Sequence, residues 1–322
     1  MRILITGAGG AAAVSVWKSL NADHELLMSD IDPCAAGLYL VPATHRIIIP
    51  RGDDPSFTEK MLQICKQRVI NVLLATVDLE LAVLSKQTIE FTGIGTQVPL
   101  SPYQTLLMCF DKHALLEKCK DHIPVPHYSL LNKENLTSMR DFPYFAKPRF
   151  SSGSRGAMVI HKLEELVALP QDNSYLVQEL LPGDEYSVDI YVSAKGLPIA
   201  AVPRLRMKID SGIAVASRSV NHPILSKLAL DTALLVGIRY VANIQYKQAR
   251  DGLFKLLEIN PRFSGTLPLT IAAGVDIPKL LVTDIDNQPL PAGIMPYREL
   301  MVVRYWTEKY IATQEWVDLC QQ

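Results

Sequence analysis

Apolar residues in the first hundred positions fall into short blocks separated by longer amphipathic stretches. Residues 2–6, RILIT, read as a buried strand, and GAGGAAAVSVWKSL reads as a glycine turn running into a helix. ELLMSD, HRIIIP and NVLLAT read as three further strands. PSFTEKMLQICKQ and DLELAVLSKQT carry helical spacing of their apolar positions. Strands alternating with helices predict a parallel sheet with helices on its faces.

The pattern changes near 96–105, where the proline-bearing TQVPLSPYQ predicts a boundary. TLLMCFDKHALLEKC predicts a helix with Asp111 and Lys112 inside it, and HIPVPHYSL returns to extended structure. PYFAK is a strand ending on Lys147, followed by a loop from Pro148 to Gly156. SYLVQELLPGDEYSVDIYVS reads as strand, turn and strand about Pro182-Gly183. LPIAAVPRLRMKID is a strand with Arg204, Arg206 and Lys208 on one face, and GIAVASRSV continues its sheet. Three like charges on one face are either solvated or meet an anion. SKLALDTALLVGI, TLPLTIAAGV and DIPKLLVTDI predict helices, and RELMVVRYW a closing edge strand. His222, before Pro223, is expected to cap or pack rather than to catalyse.

One stretch combines strand periodicity with unusual polar content. In FKLLEINPRFSG, Glu258 and Asn260 alternate and therefore share a face. The preceding VANIQYKQAR runs into Asp251-Gly252, a strong hairpin signal. With those two residues as the loop, Gln245 falls opposite Glu258 and Asn243 opposite Asn260. Directly opposed Cβ atoms lie about 4.5–5.5 Å apart, so the four would form one patch. Carboxylate and amide oxygens are hard ligands that suit Mg²⁺. Arg262, just past Pro261, suits two-point contact with a phosphate. The plain alternative is a solvated hairpin face, but the patch carries little charge and is rich in oxygen donors.

Composition narrows the classes. The chain has 322 residues, 48% of them hydrophobic, which is globular and long enough for two or three lobes. A net charge of −1 with no basic run argues against a nucleic-acid partner. The five cysteines are scattered without a C-x-x-C pair, against a disulfide framework or a zinc site. No run approaches the roughly 18–20 apolar residues that span a bilayer, and no signal peptide opens the chain, so a soluble cytoplasmic protein is expected.

Two glycine-bearing loops are candidates for anion contact. Gly7, Gly9 and Ala12 fit G-x-G-x-x-A, and Asp30 or Asp32 lies where a ribose-binding acid would sit. The motif alone is weak. It serves equally as a tight turn that needs glycine for geometry, or as a helix N-terminus facing an anionic substrate group. The loop Ser151 to Gly156, with Arg155, is suited to closing over phosphates or to being an ordinary mobile turn. The strand lysine directly before it favours the first.

The order of these pieces resembles the ATP-grasp superfamily. Asp111-Lys112, IPVP, FAKPRFSSGSRG, VQELLPGDEYSVD, NIQ and LLEINPRFSGT occur in its sequence order, most like one synthetase unit of the carbamoyl phosphate synthetase large chain. The resemblance covers roughly residues 1–285. It implies an α/β and α+β protein, with a Rossmann-like pre-ATP-grasp domain over 1–103 and a two-lobed ATP-grasp fold over 104–322. A lid lobe would span about 120–182 and a catalytic lobe would begin near 183.

By the same resemblance, Lys112 and Lys147 look like the two ATP lysines. Ser152, Gly153, Ser154, Arg155 and Gly156 resemble the lid over the phosphates. Gln178, Glu179, Leu180 and Leu181 resemble the adenine hinge, and Glu185 the ribose carboxylate. Gln245, Glu258 and Asn260 resemble the metal ligands, and Arg262 the arginine at the transferred phosphate.

The implied chemistry is ATP- and Mg²⁺-dependent ligation, with Mn²⁺ as a substitute metal. A carboxylic acid becomes an acylphosphate with release of ADP, and an amine displaces phosphate. Arg204 and Arg206 are candidates for gripping the acid or acylphosphate. A single unit without a glutaminase region makes carbamoyl phosphate synthesis unlike this chain's own activity. The rival readings are an NAD-dependent oxidoreductase built on Gly7, Gly9 and Asp30, and a nucleotide-binding regulator without turnover. The partners implied are small molecules, with a homodimer as the default assembly.

Overall fold

A computed structural model describes residues 1–136, 139–151, 153, 155–210 and 212–321. Four short strands, β1 (Arg2–Ile5), β2 (Glu25–Asp30), β3 (Arg46–Ile48) and β4 (Val72–Leu74), form a parallel sheet in the order β3-β2-β1-β4. Each is apolar and buried along most of its length, as strands covered on both faces must be. The helix Phe57–Gln67 covers one face through Phe57 and Met61, which pack with Leu4 and Leu73. The helix Ala11–Leu20 covers the other.

β5 (Tyr128–Asn132), β6 (Tyr144–Pro148), β7 (Met158–Ile160) and β8 (Asp172–Glu179) make a small antiparallel sheet in the order β5-β8-β6-β7. Its core is small, with Leu131, Ala146, Ile160 and Val177 among its members. β9 (Glu185–Val192), β10 (Pro198–Asp210), β11 (Ile213–Ser219), β12 (Tyr240–Gln248), β13 (Phe254–Asn260) and β14 (Met301–Val303) form the largest sheet, in the order β13-β12-β9-β10-β11-β14. On β9 the alternation is strict in its consequence. Val188, Ile190 and Val192 pack with Leu225 and Ala229 of the helix Pro223–Val236, which leaves Ser187, Asp189 and Tyr191 on the opposite face.

That opposite face is not solvated. Tyr191 and Val202 join Ile5, Ala12, Val16 and Leu281 in one apolar cluster. The parallel sheet and the large sheet therefore share a core, which brings the N-terminal glycine turn over the polar positions of β9, β12 and β13.

Several local expectations are revised. The helix expected through Asp111 is two helices, Tyr103–Phe110 and Lys112–Cys119. Asp111 leaves helical geometry at φ −93°, ψ 98°, and its carboxylate accepts from the backbone of His113 and Ala114. An apolar pattern running through a capping aspartate conceals the break. The closing strand is short, only Met301–Val303. His222 caps the helix Pro223–Val236, accepting from Leu225 N at 3.3 Å.

The hairpin loop also differs. Ala249 N donates to Leu253 O and Gly252 N to Ala249 O, so three residues, not two, make the turn, with Gly252 at φ +84°. The outer pairs are shifted by one, with Lys247 opposite Lys255 and Tyr246 opposite Leu256. A bulge at Leu257 restores the inner register, so Gln245 faces Glu258 and Asn243 faces Asn260 as expected.

The glycine turn itself is tight. Gly7 sits at φ +67°, and a Cβ there would lie 2.6 Å from Val77 Cγ2 and 2.7 Å from Thr76 Oγ1. At Gly9 a Cβ would stand 3.4 Å from Ala35 Cβ, an ordinary distance. Gly7→Ala should therefore cost about 1–3 kcal/mol of stability in urea unfolding. Gly9→Ala should stay within about 0.5 kcal/mol of the parent. Equal effects at the two positions would contradict this account of the turn.

Candidate functional site

Two cross-strand rows build the floor of the site. Ser187, Gln245 and Glu258 lie side by side on β9, β12 and β13, and Asp189, Asn243 and Asn260 form the next row. Asp189 is 2% exposed. It accepts from Arg204 Nη2 at 2.7 Å, from Asn243 Nδ2 at 2.7 Å and from the Thr270 hydroxyl. Burying a carboxylate is costly unless it is paired and hydrogen-bonded, and here three donors converge on it. Arg204 also donates to Thr266 O and Ser264 Oγ. Its Nε is buried without a partner.

The option of a freely solvated arginine strand does not hold for Arg204 and Arg206. Arg204 and Arg206 neither face water freely nor lack partners, because β9 supplies carboxylates beside them. Arg206 Nε lies 2.9 Å from Glu185 Oε1, close enough for an ion pair but out of line for a hydrogen bond. Arg206 Nη2 donates to Gly212 O at 3.0 Å. Lys208 is the exposed member of the three.

A cavity of about 500 Å³ lies over this floor. Asn243, Gln245, Glu258, Asn260 and Arg262 line it on one side, with Arg204, Arg206, Gly153 and Arg155. Gly7, Gly9, Gly10, Asp30 and Thr76 line the opposing wall. The glycine turn and the polar patch thus share one cavity. Asp30 accepts from Gly9 N at 2.8 Å and from Asp32 N at 3.0 Å, so part of its role is to hold the turn.

A second cavity of about 370 Å³ adjoins the first through Glu258 and Asn260 and is lined also by Lys112, Phe150, Ser151 and Asp78. Lys112 Nζ contacts Ser151 and lies 3.9 Å from Glu258 Oε2. Burial lowers its pKa, while Glu258, Asp78 and Asp111 oppose that shift. Lys147 is also buried, and Nζ donates to Leu257 O, the residue of the bulge, at 3.0 Å. Burial pushes Lys147 down to about 8; Glu258 and Glu185 work against it and Lys112 with it.

Other expected residues stand apart from these cavities. Gln178 to Leu181 line neither of them. Glu179 holds Lys255 and accepts from His127 N, and Gln178 Oε1 is buried without a partner. Ser152 and Ser154 lie outside the described residues, while Gly153 and Gly156 have φ of +67° and +72°.

Four functional neighbours escape a local reading of the sequence. Asp189 and Thr270 anchor Arg204 and Asn243. Arg149 clamps Asp111 through two guanidinium nitrogens, fixing the start of the helix that carries Lys112. Asp78 holds Arg262, with Nε to Oδ1 at 2.6 Å and Nη2 to Oδ2 at 3.1 Å. Asp189 had a visible signal, an acid at an alternate position of an otherwise apolar strand. Asp78 had a fainter one, an acid opening the helix just after a parallel strand.

A sequence profile described as the PylC-like N-terminal domain matches residues 3–99, and another, ATP-grasp in the biosynthetic pathway with Ter operon, matches residues 171–309. Residues 171–309 thus belong to the ATP-grasp superfamily. Among curated relatives, the D-alanine–D-alanine ligase of Thermotoga petrophila is 30% identical over 132 residues, 39% of this chain and 41% of that protein. The arginine-specific carbamoyl phosphate synthase large chain of Geobacillus stearothermophilus is 26% identical over 217 residues, 59% of this chain and 21% of that one. The matched segments thus span well under half the length of these relatives.

Solved ATP-grasp neighbours agree in fold. The N5-carboxyaminoimidazole ribonucleotide synthetase of Thermotoga maritima superposes with a TM-score of 0.67 at 20% identity, over 90% of this chain and 77% of that one. The biotin carboxylase of Campylobacter jejuni gives 0.73 at 14% identity, over 90% and 72%. The Rossmann-like region followed by a two-lobed ATP-grasp fold is therefore the architecture of this chain. No helix among the described residues is long and apolar enough to cross a membrane.

The donor set of this ATP-grasp site can be tested for fit to a metal. Among the described residues no three His, Cys, Asp or Glu come together. A metal here would rest on one carboxylate, Glu258, and the amide oxygens of Gln245 and Asn260. That hard, oxygen-only set suits Mg²⁺, which uses one or two carboxylates and completes its shell with phosphate and water.

The Lys147 shift predicts a pH dependence with a definite sign. Its folded pKa, about 8, lies below its ordinary 10.5. Between those values the unfolded chain binds more protons, so stability rises with pH across that window and is lowest below it. Lys147→Met should remove this rise, about 2 kcal/mol between pH 8 and pH 10, when denaturant midpoints at the two pH values are compared with the parent. A variant that keeps the full slope would assign it to other groups.

Proposed function

We propose that this ATP-grasp protein is an ADP-forming ligase that activates a small carboxylic acid as its acylphosphate and joins it to an amine. The observation that carries this reading is the patch of Gln245, Glu258 and Asn260 on two adjacent in-register rows, with two buried lysines, Lys112 and Lys147, near Glu258. Ligase activity in relatives such as the D-alanine–D-alanine ligases supports it.

Glu258, Asn260 and Gln245 would hold the metal. Bound Mg²⁺ supplies charge neutralisation across the β- and γ-phosphates of ATP. Lys112, Lys147 and Arg262 would place positive charge around the same phosphates. Desolvated cations are worth more there than in water, because the site replaces solvent with fixed charge. The lid Ser152 to Gly156 would close over the phosphates, with Arg155 already at the cavity wall. Gln178 to Leu181 would take the adenine, and Glu185 the ribose.

Arg206 and the free Nε of Arg204 would face the carboxylate of the acid substrate. The Gly7–Gly10 turn, on the opposite wall, would contact the acid or the acceptor. Its sharing one cavity with Glu258 supports a place in the ligase site over a separate dinucleotide site. With acid, acceptor and phosphate confined together, positioning and charge do most of the catalytic work. We further assign residues 1–103 to the pre-ATP-grasp domain and 104–322 to the ATP-grasp domain, with the lid lobe near 120–182.

The test is a screen of pooled carboxylic acids and amines for dependent ADP release, followed by the product's mass. Glu258→Ala should lower Mg·ATP turnover about 100-fold or more while leaving the thermal midpoint of the folded chain in place. Retained turnover would remove Glu258 from the metal site. Nicotinamide dinucleotide binding without ATP binding would favour the oxidoreductase reading instead.

A further inference from the structure

Arg262 does not stand free beside the polar patch. Its Nε and Nη2 are held by both carboxylate oxygens of Asp78, a residue 184 positions away in the chain. Nη1 donates to Phe263 O at 3.2 Å, and the Arg262 backbone N–H donates to Asn260 O at 2.8 Å. The guanidinium is thus gripped along one edge and tethered to the loop that follows β13. Both partners are only about one-fifth exposed.

Asp78 is well placed to keep its charge and its position. It is the first residue of the helix Asp78–Lys86, where a carboxylate is favoured by the helix dipole. The turn before that helix is stitched to the glycine turn. Thr76 Oγ1 donates to Thr6 O at 2.9 Å, Thr76 N to Thr6 Oγ1 at 3.2 Å, and the Thr6 hydroxyl donates to buried Glu80. Thr6 directly precedes Gly7, and Thr76 and Gly7 both line the larger cavity. One hydrogen-bonded unit therefore forms the N-terminal wall of the cavity and leads into the residue that holds Arg262.

We propose that Asp78 is a positioning residue that fixes the plane of Arg262 and thereby couples the N-terminal wall to phosphate contact. This rests on the ligase reading, in which Arg262 meets the γ-phosphate. Asp78 acts through Arg262 and does not itself touch the nucleotide. A guanidinium fixed along its Nε–Nη2 edge presents Nη1 in one direction, so its contact with a phosphate needs little reordering.

The test is a cycle of the full chain, Asp78→Asn, Arg262→Gln and the double variant, with Asp78→Glu as the conservative change. With a substrate pair that supports turnover, Asp78→Asn should lower kcat for ADP release by about 10–100-fold while KM for ATP changes less than about threefold. Asp78→Glu should recover part of the loss. Arg262→Gln should cost at least as much, and adding Asp78→Asn to it should cost nothing further.

A second readout needs no turnover. The same proteins are titrated with Mg²⁺ and a non-hydrolysable ATP analogue, and with Mg·ADP. The parent's preference for triphosphate over diphosphate should fall by one common factor in both single variants and the double, because only the γ-phosphate feels Arg262. Additive losses in kcat and in this preference would overturn the proposal and leave the ligase reading intact. A parent protein that binds no Mg·nucleotide would overturn both.

Discussion

A carboxylate with almost no access to water governs the middle of this molecule. Asp189 has to be compensated where it stands, since an unpaired charge in such a place would cost several kcal/mol. The compensation comes from three different elements, Arg204 on β10, Asn243 on β12 and Thr270 on the helix Leu267–Ala272. Their relative positions are therefore fixed by one atom pair. Moving β12 by a single residue along β9 would turn Asn243 away and replace it with an apolar neighbour. The row of Ser187, Gln245 and Glu258 next to it is held in register by the same requirement.

The second constraint lies in the edge strand. A three-residue turn puts the outer hairpin one residue out of step with the inner part, and the extra residue at Leu257 corrects the mismatch. The bulge does more than repair register. The Leu257 carbonyl receives Lys147 Nζ, one residue before Glu258. A lysine from the small sheet and a carboxylate from the large one are thus brought together at a backbone irregularity. Bulges beside active sites commonly re-aim groups in this way. Burial of the Lys147 amine lowers its pKa more than the neighbouring Lys112 does.

How much of this was legible depended on the range of the interaction. The inner hairpin register could be read because polar residues at period two mark a face and a turn marks the pairing. It came out correct even though the assumed turn was one residue short, since the bulge cancels the error. The parallel sheet was legible for the same reason, as buried blocks of three to six residues between amphipathic segments. Asp111 was misread because capping and helix-interior aspartates look alike inside an apolar pattern. The partners of Arg204, Arg206 and Arg262 were not legible. Asp189, Glu185 and Asp78 lie 15, 21 and 184 positions away, and no periodicity links them. Repulsion along the arginine strand is offset by Asp189 and Glu185 of the neighbouring β9.

These pairings carry an argument about how ligands would enter. Arg206 stands beside Glu185, Arg262 is held by Asp78, and Glu258 lies near both Lys112 and Lys147. The site is thus close to charge-balanced through its own side chains. A triphosphate arriving alone would gain the cations but face Glu258 and Asp78 at short range. A divalent ion arriving alone would gain Glu258 but face two lysines and an arginine. Arriving together they offset each other's repulsions, because the ion screens the phosphates from the carboxylate and the phosphates screen the ion from the lysines. On the proposed ligase reading, such a site would select the metal–nucleotide complex over either component, by the balance of fixed charges rather than by any single strong ligand.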